Sequence, residues 1–242
     1  DGHDTEAALS KAVGLTALHG ERIIVACVGL GLVERDGDRL KNAPDVERFL
    51  VQGQPHYAGE WMLFTKPDWD QWGRLSEILR NQTPPRADNV KVSEFTVEDA
   101  RRYHRATYSI GRGAGRLFLR QVDLTGKKHL IDIGGGSGAY CIEACKKYPE
   151  LRATVLDLAS VAEVAREFIA DRVEAQACDF NVDPFPAGAD VVVMASNLPM
   201  YGRDEFRAVV KKAYDALTPG GEMHLIGEAL DADRTGPADA AL

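Results

Sequence analysis

Apolar positions recur with a helical period over Thr5–Val13 and Gly20–Gly29, with a break near Gly14. In Gly31-Leu32-Val33-Glu34-Arg35-Asp36-Gly37-Asp38-Arg39-Leu40, alternating apolar residues flank an Asp-Gly pair, which predicts two strands joined by a tight turn. Helix, turn, helix and hairpin together predict a winged-helix unit. Thr83-Pro84-Pro85 interrupts the periodicity and closes this first region at residues 1–86. Within the bridge, residues 87–125, Thr96-Val97-Glu98-Asp99 reads as an N-cap with acids in the first turn of a long helix. From 126 to 242 strand and helix signals alternate: a strand through Leu130–Ile133, a helix over Ala139–Lys147, a strand over Ala153–Leu156, a helix over Val161–Ile169, a strand ending at Ala177-Cys178-Asp179-Phe180, a buried strand over Asp190–Ala195, and a strand over Glu222–Ile226. Such alternation predicts a parallel α/β sheet.

Composition narrows the function classes. The 242 residues carry a net charge of −8, and residues 1–86 hold ten Lys/Arg against thirteen Asp/Glu. A DNA-reading winged helix needs a basic face to neutralise phosphates, so a nucleic-acid partner is not expected. No run approaches the ~20 apolar residues that span a bilayer, and the polar opening Asp1-Gly2-His3-Asp4 does not resemble a secretory signal. Cys27, Cys141, Cys145 and Cys178 have no zinc-ligand spacing; Cys141 and Cys145, at i and i+4, are expected on one buried helix face. No metal site, no membrane partner and a cytoplasmic setting are expected. Trp61, Trp69 and Trp72 are expected to form core rather than pocket.

The strongest chemical signal is Leu130-Ile131-Asp132-Ile133-Gly134-Gly135-Gly136-Ser137-Gly138, an apolar strand running into a glycine-rich turn ahead of a helix. Glycines let the backbone turn sharply and approach a ligand, and the following helix N-terminus presents free N–H groups. Gly134-x-Gly136-x-x-Ala139 by itself also fits a dinucleotide site. Asp132, inside the strand, can attract an ammonium group. Asp157, nineteen residues after Gly138 at a strand end, can accept from ribose hydroxyls in either kind of site. Asp179 and Phe180 stand where an adenine amino group and ring face could meet them, although Asp179 can instead cap the turn before Asn181. Leu217-Thr218-Pro219-Gly220-Gly221 ends a helix before the last strand, a turn frequent in S-adenosylmethionine (SAM) methyltransferases.

With these residues, nearly the whole chain resembles the SAM-dependent small-molecule O-methyltransferases that carry an N-terminal winged helix, of the plant caffeate and hydroxyindole types with their bacterial relatives. The resemblance implies a Rossmann-like class I methyltransferase sheet and a homodimer formed through the first domain. It implies SAM as cofactor, S-adenosylhomocysteine as product and a small-molecule acceptor. It further implies cofactor contacts from Asp132, Gly134, Gly135, Gly136, Gly138, Asp157, Leu158, Asp179, Phe180 and Ser196. Tyr108 and His104 are the catalytic candidates, and Tyr103, Arg112, Asn197, Met200 and Tyr201 the substrate candidates; Arg112 would suit an acidic substrate. Gly111, Gly113 and Gly115 weaken the bridge helix, marking either a break or a close backbone approach.

Two departures from the family stand out. Where the family often carries Leu-His-Asp-Trp, with the His as general base, this chain reads Leu198-Pro199-Met200-Tyr201, and proline cannot accept a proton. Relative to the family the chain also reads as shortened at both ends. Loss of the His favours acceptors that need no base there, such as a thioether of the methylthiohydroxybutyrate kind or a carbon acid. A nucleotide-dependent oxidoreductase and a non-catalytic regulator are the remaining alternatives.

Overall fold

The structure, a computed structural model, describes residues 2–81, 95–197 and 202–237. The chain folds as two compact units, Asp1–Trp69 and Asp70–Leu242. Thr83-Pro84-Pro85 and the segment Leu198–Tyr201 lie outside the described residues.

In the first unit, α1 (Glu6–Ala12) and α2 (Ala17–Gly29) are each capped by a threonine hydroxyl, Thr5 accepting from the Ala8 N–H and Thr16 from the His19 N–H. The Thr16 cap explains why α2 begins three residues before the apolar period does. Gly14, at φ 71°, lies in the break between the two helices. Strands β1 (Val33–Asp36) and β2 (Arg39–Asn42) pair antiparallel, with Asp36 opposite Arg39 around the predicted turn. Helices α3 (Pro44–Phe49) and α4 (Gly59–Thr65) follow. The tryptophans do not form core: Trp61 is exposed and stacked on Phe64, Trp69 is 79 % exposed, and Trp72, in the second unit, is exposed as well. Their indoles extend from short helices with little packed over them, which aromatic content alone does not reveal.

Helix α5 (Trp69–Gly73), whose first residue closes the first unit, and α6 (Leu75–Asn81) begin the second. Helix α7 (Val97–Gln121) follows, opened by a capping box in which Thr96 and Asp99 satisfy each other's backbone N–H groups. Beyond it come β3 (His129–Ile133), α8 (Ala139–Lys147), β4 (Arg152–Asp157), α9 (Ala159–Ala165), β5 (Val173–Ala177), β6 (Ala189–Ala195), α10 (Arg203–Ala216) and β7 (Leu217–Ile226). The strands form a parallel sheet in the order β5-β4-β3-β6-β7. The last strand begins earlier than expected. Leu217 already pairs with Ala189, and the Pro219-Gly220-Gly221 turn is taken up as a register shift inside β7. No single helix among the described residues is long and apolar enough to cross a membrane.

Alternation along the strands sorts the core into two layers. Leu130, Val155, Val191 and Val193 pack with Phe118, Leu119, Cys141, Ala144 and Cys145. Ile131, Ile133, Leu156, Val192 and Met194 pack with Val209 and Ala213 of α10. A sheet covered on both faces gives near-continuous apolar strands, which is why Asp132 stands out in one.

The glycines of α7 do not break the helix. A Cβ on Gly115 would lie 3.2 Å from the Tyr140 backbone, and one on Gly111 3.0 Å from the Ala139 Cβ, so these two glycines set how closely α7 approaches α8. Gly113 faces open space apart from the end of the Arg116 side chain. Gly113→Ala should therefore raise stability by up to about 1 kcal/mol through helix propensity. Gly115→Val should lower it by about 1–3 kcal/mol through overpacking. Urea denaturation of the two variants checks this; equal effects would show that the helix crossing is not set at Gly115.

Candidate active site

Parallel sheets bind ligands beyond the carboxyl ends of their strands, at the point where the strand order reverses. Here the chain begins at β3, moves outward through β4 and β5, then returns to β6 on the other side, so the reversal lies between β3 and β6. Pairing of Ile133 with Leu156 and Met194, and of Asp157 with Ala177, brings Gly134, Asp157, Cys178 and Ser196 to one edge.

The glycine turn is built against side chains rather than open space. Gly134 and Gly136 take φ values of 68° and 55°, where an L side chain is strained. A Cβ on Gly134 would overlap the Asn197 amide, one on Gly135 would lie 2.7 Å from the Asp132 carboxyl, and one on Gly136 2.5 Å from the His104 ring. Asp157 ties the turn to β4: its Oδ2 accepts from the Gly136 N–H at 2.9 Å and its Oδ1 from the Leu158 N–H at 2.8 Å. Burial pushes the Asp157 carboxyl up to about 6 despite those two donors. Asp132 is 1 % exposed, and its one partner among the described residues is the Cys141 thiol, 3.7 Å from Oδ2, while Oδ1 has none. Burial pushes Asp132 up to about 7; the Cys141 contact opposes this and the neighbouring Asp157 adds to it.

Next to Asp157 opens a cleft of about 450 Å³ lined by Phe95, Leu158, Ala177, Cys178, Asp179 and Asp183, among others. Asp179 does cap the turn, its Oδ1 accepting from the Asn181 N–H at 2.9 Å. Phe180 is buried in the α10 layer of the core, edge-on to Phe185, with its ring near Gly134. Lys212 of α10 anchors this loop by donating to the carbonyls of Phe180 and Asp183. Sequence reasoning did not single out Lys212; its position on a helix far along the chain offered no local signal.

The bridge-helix candidates fall into two groups. His104 is buried over the Gly136 turn, with Tyr103 edge-on at 5.2 Å, and burial lowers its imidazole to about 4. Tyr108 and Arg112 are turned elsewhere. Tyr108 packs on Phe168 and accepts from Arg112, and Arg112 forms an ion pair with Glu143 of α8, to which Arg116 also donates at 3.0 Å. Glu143, missed from the sequence, is nearly fully buried. A lone acid beside Cys141, Ala144 and Cys145 on an apolar helix face was the available clue. Ser196 adopts φ 58° and donates its N–H to the Ile226 carbonyl, while Asn197 is buried and donates from Nδ2 to the Ile133 carbonyl at 2.8 Å. Met200 and Tyr201 lie outside the described residues.

The chain is 32 % identical over 247 residues to a 3-hydroxy-5-methyl-1-naphthoate 3-O-methyltransferase of Streptomyces sahachiroi, covering 96 % of this chain and 70 % of that protein. It is 28 % identical to the tetracenomycin polyketide synthesis 8-O-methyl transferase of Streptomyces glaucescens, over 95 % of this chain and 70 % of that one. Its fold superimposes on human N-acetylserotonin methyltransferase, solved in complex with SAM, with a TM-score of 0.79 at 25 % identity, covering 96 % of this chain and 72 % of that one. The family model of the O-methyltransferase domain matches residues 91–242, which include the glycine turn, Asp157 and the whole parallel sheet, and the chain belongs to that family.

Proposed function

We propose that this chain is a SAM-dependent methyltransferase that holds the cofactor along the carboxyl ends of β5, β4 and β3 and methylates a hydroxyl group of a small molecule, without an imidazole base at the position of Pro199. The observation that carries the reading is Asp132: a buried carboxyl beside the glycine turn with an acceptor oxygen that no group among the described residues satisfies. Buried polar atoms are nearly always paired, so this one points to a ligand-borne donor. When bound, SAM supplies a methyl group on a sulfonium, which is a good leaving group.

The residues present fit that cofactor. The cleft beside Leu158, Cys178 and Asp179 would take the adenine. Each Asp157 oxygen accepts one backbone N–H and keeps a further lone pair for the ribose hydroxyls. Gly134, Gly135, Gly136, Gly138, Phe180 and Ser196 would shape the backbone around it. His104 acts by packing over the turn: at about 4, its imidazole is neutral at neutral pH and too weak a base to hold the acceptor's proton. Tyr108 and Arg112 serve the α7–α8 contact, so an acidic acceptor would find its cation elsewhere. Alignment of acceptor and donor then carries most of the rate, a contribution of roughly 7–11 kcal/mol.

The name of the Streptomyces sahachiroi relative supports an aromatic hydroxy acid as the first acceptor class to try. Pro199 favours a second reading, methylation of a thioether sulfur, which has no proton to remove. We further propose that the first unit is the winged helix of a homodimer, consistent with the exposed Leu18, Ile23, Val25 and Leu30 on and beside α2. The four free cysteines support a cytoplasmic setting.

Asp157→Ala should weaken S-adenosylhomocysteine binding on the order of 100-fold, as expected for lost hydrogen bonds to a charged group. Isothermal titration checks this against NAD, which should not bind the wild type; binding of NAD in place of the adenosyl compound would overturn the cofactor reading. Asp132→Asn tests the buried acid. The folded carboxyl lies at about 7, above its unfolded value, so the folded state holds the extra proton and loses stability as pH rises towards 7. The variant should melt higher than the unliganded wild type at pH 8, with the gain shrinking to nothing near pH 4. A gain independent of pH would show that the Asp132 charge is not its source.

A further inference from the structure

Asp132 is not the one unsatisfied acceptor at the glycine turn. Asn197, directly after β6, is 8 % exposed, and its Oδ1 is buried with no donor among the described residues. The side chain is held from its other end, where Nδ2 donates to the Ile133 carbonyl at 2.8 Å. Ser196 before it sits at φ 58°, a left-handed conformation that a serine adopts at a cost, and is kept there by the bond to Ile226. The Asn197 amide occupies the space that any side chain at position 134 would fill. Strain, close packing and an orphaned acceptor thus coincide across the β3–β6 reversal, on the side of β3 away from Asp157 and the cleft.

We propose that Asn197 holds the amino-acid end of the cofactor, its Oδ1 accepting a hydrogen bond from the α-ammonium group. The inference rests on the cofactor reading above and extends it across the switch point. From β5, beside the cleft, to β6 is three interstrand steps of about 4.8 Å, roughly 14 Å, the reach of adenine, ribose and a four-carbon chain laid in series. The acceptor chemistry sets the orientation. The Asp132 carboxyl lies against Gly135 through Oδ2 and the Asn197 amide against Gly134 through Nδ2, and the remaining Oδ1 of each side chain, unpaired among the described residues, requires a donor. An ammonium offers three N–H groups and a carboxylate none, so the carboxylate must point away from both.

The test is isothermal titration of the whole chain with three probes: S-adenosylhomocysteine, its analogue with hydrogen in place of the α-amino group, and 5′-methylthioadenosine, which lacks the amino acid. In the wild type, removing the amino group should cost about 10–100-fold in affinity, as for hydrogen bonds to a charged group. In Asn197→Ala that penalty should shrink about fivefold or more, while methylthioadenosine binds as it does to the wild type. An unchanged amino penalty, or an equal loss of methylthioadenosine affinity, would overturn the assignment, the latter because Asn197 would then act only by shaping the turn. Asn197→Asp keeps an acceptor in the same place and serves if the alanine variant does not fold; its amino penalty should equal or exceed that of the wild type, and a smaller one overturns the proposal. Failure of the wild type to bind any of the three would instead remove the cofactor reading itself.

Discussion

The candidate site depends on one carboxylate that ties the glycine turn after β3 to the end of the neighbouring strand β4. Asp157 closes β4 and, through the Gly136 N–H, holds the turn that closes β3, while its second oxygen fixes the backbone as it enters α9. The turn is held further by backbone bonds from the Gly134 N–H to the Leu156 carbonyl and from the Gly138 N–H to the Gly135 carbonyl, with φ values at Gly134 and Gly136 where most residues would be strained. Burial raises the proton affinity of Asp157, and two backbone donors partly offset that cost. The edge is therefore polar, largely buried and defined in shape before any ligand arrives, a pre-organisation that lowers the cost of binding.

Around that edge the protein uses close packing for positioning. Gly111 and Gly115 let α7 approach α8, and the ion pairs of Arg112 and Arg116 with Glu143 clamp the same crossing. Only the Glu143 end is buried, with Arg112 22 % and Arg116 41 % exposed, so the pairs add little net stability, while removing the arginines would leave a buried carboxylate without its partners. Their effect is to fix a register between the helices. That register sets His104 over Gly136. The imidazole is thereby desolvated and neutral, and a residue that sequence position suggests as a base becomes part of the roof over the turn.

Protonation of these buried groups acts in opposite directions. His104, with a folded value near 4, favours the folded state above its unfolded value and loses that contribution as pH falls from about 6.5. Asp132 and Asp157, raised to about 7 and 6, disfavour the unliganded fold as pH rises. A cation at the turn would relieve the second effect and, standing near the His104 ring, reinforce the first. The site thus holds electrostatic tension of the sign that a positively charged ligand removes.

Much of this protein was legible along the chain. The strand–turn–helix at Leu130–Lys147, the Thr96 cap, the hairpin around Asp36-Gly37 and the acid at position 157 follow from local rules, because each depends on residues within a few positions of one another. The sequence also showed Asp132 as a charge in an apolar strand and Pro199 as an unfit base. What it could not show is which side chains meet across long separations. Arg112 was free to face a substrate until α8, thirty-one residues on, brought Glu143 to it. The tryptophans read as core until their short helices left them exposed. Lys212 reaches the candidate site region because a parallel sheet returns distant strand ends to one edge, and that return depends on the order of strands, which no local pattern encodes; Asn197 was named as a substrate candidate, but its bond to the Ile133 carbonyl came only with that return. Spacing along the chain determined the elements and the chemistry they carry; packing of the two core layers decided which groups are buried, paired or left with an unsatisfied atom, because burial is a property of the assembled layers and not of any one segment.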